Sequence, residues 1–301
     1  MHYNTFNQYL KKQFGTKVRR ISLNAGFSCP NKDGSLSADG CIFCNESGFS
    51  VFPEKTLSLK GQIEKMITET KKKYGNQKFI AYFQNSAGTN ASLEELKTSY
   101  DTIKDYQEII GLSISTRPDC VSAEKLDLIA EYTDKYEVWL EYGAQTVHNK
   151  TLNKINRGHT FEQTVSAIKS AHARGIKVCA HIILGLPNET FEDMMMTAQT
   201  ISRLPVSGVK IHVLHVLKNT ILADLYHKGL VELFSQDEYV KTVCTFLEYL
   251  NAECVILRLV STAKKEYLIA PEWINNKQRV IQEIETEFAR RGTRQGFLLA
   301  G

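Results

Sequence analysis

Sixteen residues constrain this chain more than any others. From Cys29 to Cys44 it reads C-P-N-K-D-G-S-L-S-A-D-G-C-I-F-C, with eleven residues between Cys29 and Cys41 and two between Cys41 and Cys44. Pro30, Gly34 and Gly40 break helix and strand patterns, so the stretch reads as a loop that gathers three thiolates on one soft metal centre. Zinc usually takes four protein ligands, so a structural zinc site would have to recruit a distant histidine such as His181 or His215. A cubane iron–sulfur cluster normally takes four thiolates; three leave one iron open to a cofactor or substrate. Disulfides fit poorly, because seven cysteines is an odd number and no charged start followed by an apolar run reads as a signal peptide. The leading expectation is an oxygen-sensitive cluster in a reducing, cytoplasmic setting.

The rest of the chain is consistent with a globular enzyme. Its 301 residues, 43% hydrophobic and 23% charged, can bury a sizeable core. No apolar run approaches the roughly 18–20 residues that span a membrane. The net charge of +4 is compatible with an RNA partner without requiring one.

Along the chain, Tyr3, Phe6, Leu10 and Phe14 fall at helical spacing and predict a short amphipathic lead-in helix over 3–14. Lys11, Lys12, Lys17, Arg19 and Arg20 follow, either as a solvated face or as an RNA-facing patch. Val18–Leu23 reads as the first strand, followed by a helix over 58–74. Further strands are expected at 78–84, 109–115, 136–141, 176–184, 208–214 and 254–260. Capping boxes open the intervening helices at Ser92 with Glu95, Thr160 with Gln163, and Ser235 with Glu238. Strands about 30–40 residues apart with helices between them argue for an α/β fold with a parallel sheet. Six main strands predict a partial (β/α)6 barrel with a core over about 18–260; a closed eight-stranded barrel is the structural alternative. An extension over about 261–301 includes a charged amphipathic helix, Trp273–Arg291, that packs across the barrel. No linker or low-complexity segment divides the chain, so residues 1–301 read as a single domain.

The cysteine triad, with Phe43 just before its last member, resembles the radical S-adenosylmethionine (SAM) superfamily. The usual spacing there is shorter, three residues between the first two cysteines; the longer gap is similar to a subgroup called YhcC or YtqA. That subgroup is related to the radical-SAM module of Elongator-type tRNA-modifying enzymes. The phrases G-F-S-C-P-N, C-I-F-C-N, S-T-R-P-D-C-V, N-R-G-H and G-L-P-N-E-T, spread from residue 26 to residue 190, also look like that subgroup. The resemblance implies a [4Fe-4S] cluster on Cys29, Cys41 and Cys44, whose open iron binds the amino and carboxylate groups of SAM. It further implies a one-electron donor of flavodoxin or ferredoxin type and reductive cleavage of SAM to a 5′-deoxyadenosyl radical. The substrate it implies is tRNA, at the wobble uridine, with a 5-carboxymethylaminomethyl side chain shortened to 5-aminomethyl. An RNA partner would use phosphate contacts near residues 11–20, 71–78 and 290–294 and a splayed-out base.

Parallel α/β folds gather function at the C-terminal ends of strands, and the distinctive phrases fall there. Strand two ends in Gln84-Asn85-Ser86 where related enzymes carry a Gly-Gly-Glu type turn for the methionine amine; Gln84, Asn85 and nearby carbonyls are the substitutes, or the segment is an ordinary polar turn. Ser115 stands where related enzymes often have Glu contacting the SAM ribose. Arg117 either binds an anion or pairs with Asp119, and Cys120 reads as a packed thiol. Glu141 alternates among apolar neighbours, where a lone carboxylate needs a partner; the resemblance turns Glu141 and Gln145 toward the SAM ribose and methionine. Arg157 matches a basic residue that contacts the methionine carboxylate, which a planar guanidinium binds in bidentate fashion. His159 reads as structural. Gly185 permits the close backbone approach of an adenine-binding turn. His181 is a packed histidine or a substrate contact, while His215 and Lys218 are candidates for substrate contact. Met194–Met196 reads as core filler. Two rival readings stay open: a radical SAM enzyme for a small metabolite or peptide, and a non-enzymatic metal-binding or regulatory protein.

Overall fold

Seven strands lie side by side and all run the same way. The computed structural model describes residues 1–45, 57–75 and 77–299. The strands are β1 (Val18–Leu23), β2 (Lys78–Phe83), β3 (Ile109–Thr116), β4 (Glu137–Gln145), β5 (Lys177–Leu184), β6 (Gly208–Val213) and β8 (Val255–Arg258), hydrogen-bonded in that order. A two-stranded antiparallel pair, β7 (Val216–Leu217) with β9 (Leu268–Ala270), stands beside the sheet. Each strand expected from the sequence occurs. The 254–260 segment joins as a seventh member rather than standing outside a six-stranded core, and β4 runs four residues past the expected end, to Gln145. This is the curved parallel sheet of a partial barrel.

The connecting helices follow the capping chemistry. The expected boxes cap α3 (Leu93–Asp101), α6 (Phe161–His172) and α9 (Gln236–Glu248). Thr5 with Gln8 and Thr190 with Asp193 do the same for α1 (Phe6–Phe14) and α7 (Phe191–Ser202). All of these except α1, together with α2 (Leu59–Tyr74) and α4 (Ala123–Ala130), cover the outer face of the sheet, burying Ile21, Phe79, Leu112, Leu140, Val178 and Ile211 beneath them. The strands' other face lines the barrel interior.

One end of that interior is closed by α1. Phe6 and Leu10 pack with Val18, Ile80, Trp139, Cys179 and Val255, which sit at or near the N-terminal ends of their strands. Phe6 meets the Trp139 ring edge-on at 5.4 Å, a favoured aromatic geometry. Tyr9 and the Trp139 indole both donate to Glu137, at 2.6 and 2.8 Å, and Lys177 pairs with the same carboxylate at 2.9 Å. The interior is therefore plugged at the N-terminal end and accessible from the C-terminal end.

The C-terminal helix departs from expectation. A short 3-10 turn occupies Glu272–Asn275, and α10 (Lys277–Arg291) begins only after Asn276, whose side chain caps it by accepting from the Arg279 amide. It lies along α9 instead of crossing the barrel. Its Val280, Ile284 and Phe288 fall four residues apart, forming one stripe that packs with Val243, Phe246 and Leu247. Among the described residues no helix is long and apolar enough to cross a membrane.

Candidate active site

The three cysteines sit on the rim of a cleft of about 290 Å³ at the C-terminal ends of the strands. The loop that carries them is folded back on its own carbonyls. Lys32 and Asp33 amides donate to the Cys29 carbonyl, Leu36 and Ser37 amides to that of Pro30, and the Cys44 amide to that of Cys41 at 2.9 Å. Gly40 takes φ +72°, a left-handed turn for which glycine is suited. The loop is also laced to the segment after α5 (Asn149–Lys154). Ile42 donates to the Ile155 carbonyl at 3.1 Å, Asn156 Nδ2 to the Gly40 carbonyl at 2.7 Å, and Asn31 Nδ2 to the Asn156 carbonyl at 2.6 Å.

None of the three rim thiols is in a disulfide; Cys29 and Cys44 are half-buried and Cys41 is buried. Asn31 Nδ2 and Arg157 Nη1 each lie 3.5 Å from Cys41 Sγ, so both donate toward the sulfur. Arg157 is fixed by two further bonds, Nε and Nη2 to the Gly143 carbonyl at 3.2 and 2.9 Å. Gly143 has to be a glycine for this: a Cβ there would stand 2.5 Å from Arg157 Nη2 and 2.8 Å from Gln145 Nε2. His159 supports the same carbonyl at 3.3 Å, in keeping with a structural role.

Of the residues singled out in the sequence, Phe43, Gln84, Ser115, Gln145, Arg157, His181 and His215 line this cleft with the cysteines. Arg117 lines it too, held by Asp119 through Nε and Nη2 at 2.9 and 2.7 Å, while its buried Nη1 has no hydrogen-bond partner among the described residues. Cys120 is buried, and burial followed by the nearby Asp119 charge pushes its thiol up to about 12, as fits a packed thiol. Met194 and Met195 are core; Met194 Sδ accepts from the Gly185 amide at 3.4 Å.

Four candidates are placed elsewhere. Asn85 sits in the turn after β2, between Gln84 and Ser86, which line the cleft when it does not. Gly185 has φ +83°, and its missing Cβ points at the Phe234 ring, 2.9 Å away, rather than into the cleft. Lys218 is exposed at the end of β7 and lines a neighbouring surface groove with Asn219, Asp224 and His227, because β6 stops at Val213 and the chain turns before β7. Glu141 is fully buried beneath the cleft and spoken for on both oxygens.

That carboxylate is the hub of a buried polar layer that sequence reasoning did not assemble. Oε1 accepts from Ser113 at 2.5 Å and pairs with Arg20 at 3.1 Å; Oε2 accepts from His181 at 2.7 Å and from Lys210 at 3.1 Å. Burial opposes its ionisation, yet Arg20 and Lys210 hold it well below the usual carboxylate range. Burial pulls Lys210 down to about 8 and His181 to about 4, so His181 is a neutral donor. Cys179, Glu141 and His181 have ligand atoms within 4.8 Å of one another, but Arg20 and Lys210 already supply there the positive charge a metal would bring. His215 donates from Nδ1 to the Val213 carbonyl at 3.0 Å, which leaves Nε2 with its lone pair; burial lowers its pKa and keeps it neutral.

The basic stretches noted in the sequence do not adjoin the cleft. Lys11, Lys12 and Lys17 precede β1, Lys71–Lys73 end the helix leading into β2, and Arg290 and Arg291 are committed to Glu287 and Glu248. Gln295, just beyond, bonds the Cys254 carbonyl immediately before β8. Residues that precede parallel strands lie at their N-terminal end, so these cations gather on the plugged side. Arg19 lies 3.5 Å above the Tyr74 ring, and Arg20 enters the interior.

Residues 33–201 match the Radical SAM superfamily and residues 206–290 the Radical_SAM C-terminal domain. The chain belongs to the radical SAM superfamily. It is 39% identical over 295 residues to YtqA of Bacillus subtilis, spanning 98% of this chain and 92% of that protein. It is 27% identical over 156 residues to a tRNA uridine(34) acetyltransferase of Methanocaldococcus infernus, spanning 50% of this chain and 28% of that protein. Among solved structures, the archaeal Methanocaldococcus infernus Elp3 with an N-terminal deletion superposes with a TM-score of 0.66 at 15% identity, over 92% of this chain and 64% of that one; this likeness concerns the fold. The family's cofactors are a [4Fe-4S] cluster and SAM, and the donor set fits them. Three thiols outside any disulfide share one rim, two of them half-exposed, and two N–H groups are aimed at the third, as hydrogen bonds to cluster sulfurs are.

Proposed function

We propose that this radical SAM enzyme modifies the wobble uridine of tRNA, breaking the C–N bond that joins a carboxymethyl group to a 5-aminomethyl side chain. One observation carries the substrate class: half of the chain is similar to a protein whose name is tRNA uridine(34) acetyltransferase.

Cys29, Cys41 and Cys44 are the residues that would hold the cluster, and Phe43 packs beside them at the rim. When bound, cluster and SAM supply a 5′-deoxyadenosyl radical, the hard chemistry that the protein itself cannot provide. The protein's own work is positioning. Arg157, locked onto the Gly143 carbonyl, presents a guanidinium to the SAM carboxylate. Gln84, Ser115 and Gln145 offer polar contacts along the wall. Glu141 acts one layer below, orienting His181 and Lys210, rather than touching SAM. His215, fixed through Nδ1 on the Val213 carbonyl, lines the cleft as a substrate contact. Because the basic stretches lie at the plugged end, exposed Lys154, Lys218 and Lys265, on segments that follow the C-terminal ends of strands, are the phosphate contacts. The protein acts in the cytoplasm with a flavodoxin or ferredoxin as electron donor.

The test is mass spectrometry of tRNA nucleosides from cells with and without the gene. Carboxymethylaminomethyluridine accumulates in the mutant and aminomethyl derivatives disappear. An unchanged profile in a host that makes the modification, without a second enzyme for the step, removes tRNA as the substrate.

A further inference from the structure

The floor of the cleft holds more positive charge than its own residues neutralise. Lys210 and Arg258 are register partners on β6 and β8, and both line the cleft with His212 and Tyr82. Arg20 reaches in from β1 and shares with Lys210 the carboxylate of Glu141. Three cations thus face one anion. Glu141 is saturated by Ser113, His181, Lys210 and Arg20, and Arg258 has neither an ion-pair nor a hydrogen-bond partner among the described residues. Two further polar atoms are left over: buried Arg20 Nη2 and His212 Nε2 have no partner there either. Uncompensated buried charge and orphaned polar atoms are costly, and a site that keeps both is built for a ligand of opposite sign.

The rim does not supply that ligand. Arg157 and Asn31 attend Cys41 there, and Arg117 is paired with Asp119. The plug formed by Phe6 and Trp139 closes the barrel beneath this floor, with Arg20 4.5 Å over the Phe6 ring, so an anion reaches it from the rim. We propose that Arg258, Lys210 and His212 form an oxyanion subsite at the floor of the cleft that takes the carboxylate of the substrate, anchoring it below the reacting carbon. This rests on the proposed function above and adds the place where the substrate's acidic end binds. A guanidinium fork is matched to a carboxylate.

The experiment measures binding by the full chain, cluster-reconstituted and with SAM, under anaerobic conditions. Its probes are two anticodon stem-loops differing only in the uridine side chain, one ending in the carboxylate and one in the corresponding carboxamide. The carboxylate RNA should bind roughly ten- to a hundredfold tighter, the worth of one charge-assisted contact. Arg258→Gln should bring that ratio close to one, and Arg258→Lys should restore most of it. A ratio near one in the wild type, or an undiminished ratio in a folded Arg258→Gln protein, overturns the subsite; if that variant does not fold, the wild-type ratio decides alone. Should neither RNA bind, the tRNA reading fails and carbon-13-labelled acetate tests the subsite by itself. Line-broadening of acetate by the wild type but not by Arg258→Gln supports it, and no broadening by the wild type overturns it. Inorganic phosphate displacing acetate at lower concentration overturns the carboxylate assignment.

Discussion

Replacing Glu141 by Gln tests the polar layer beneath the cleft. The change keeps shape and removes one charge from a side chain that is fully buried, accepts from Ser113 and His181, and pairs with Arg20 and Lys210 at 3.1 Å each. Breaking a buried ion pair from one side costs about 3–5 kcal/mol, because the remaining cations are left buried and uncompensated. In a chain of this size that corresponds to a fall in Tm of about 5–8 °C. Equilibrium unfolding in urea, read by circular dichroism, measures the loss. The wild-type advantage also depends on pH. Glu141 titrates lower in the folded than in the unfolded chain, so the unfolded state binds more protons as its carboxyl titrates, and the stabilisation is present above that range and lost on acidification. Lys210 titrates at about 8 when folded, below its ordinary 10.5; stability from this group alone rises as pH climbs from 8 towards 10.5. Removing the Glu141 charge lowers Lys210 further, so that window opens nearer neutrality in Glu141→Gln. A loss below about 1 kcal/mol, or a pH profile identical to the wild type, refutes the hub.

Other perturbations probe neighbouring layers. Gly143→Ala puts a Cβ 2.5 Å from Arg157 Nη2; SAM binding by calorimetry should weaken at least tenfold, roughly 1.4 kcal/mol, with iron and sulfide content unchanged, and unaltered affinity would remove Arg157 from the SAM site. Asn31→Ala deletes a donor 3.5 Å from Cys41 Sγ; a hydrogen bond worth about 1 kcal/mol should make the cluster potential more negative by roughly 40 mV, using the 59 mV per tenfold of a one-electron couple, measured by redox titration followed by electron paramagnetic resonance. Phe6→Ala unstacks Trp139 and opens the plug; it should cost about 3 kcal/mol, and a loss under 1 kcal/mol would mean that α1 does not seal the barrel.

Much of this was legible before any coordinates. The strands show because the chain alternates apolar runs with capped helices, and the cysteine loop shows because its glycines and proline exclude regular structure. Glu141 announced itself as a carboxylate in need of partners, but those partners come from β1, β3, β5 and β6; only the register brings them together. Arg258 lies on the last strand to join the sheet, where nothing in the local pattern says which face it takes. Lys218 misled because periodicity carried β6 past Val213, whereas the chain turns to pair β7 with β9, some fifty residues later. The basic stretches at 11–17 and 71–73 were readable as cations but misassigned in space. A signal was there: residues that lead into a parallel strand lie at the end opposite the site.

The most direct measurement incubates the anaerobically reconstituted protein with SAM, a one-electron reductant and tRNA carrying 5-carboxymethylaminomethyluridine. Chromatography with mass spectrometry then follows 5′-deoxyadenosine and the nucleosides together. This account predicts that 5′-deoxyadenosine and 5-aminomethyluridine rise in parallel with the wild type and that neither forms with Cys41→Ala. SAM cleavage retained by Cys41→Ala would contradict the cluster assignment, and 5′-deoxyadenosine formed over an unchanged tRNA would contradict the substrate.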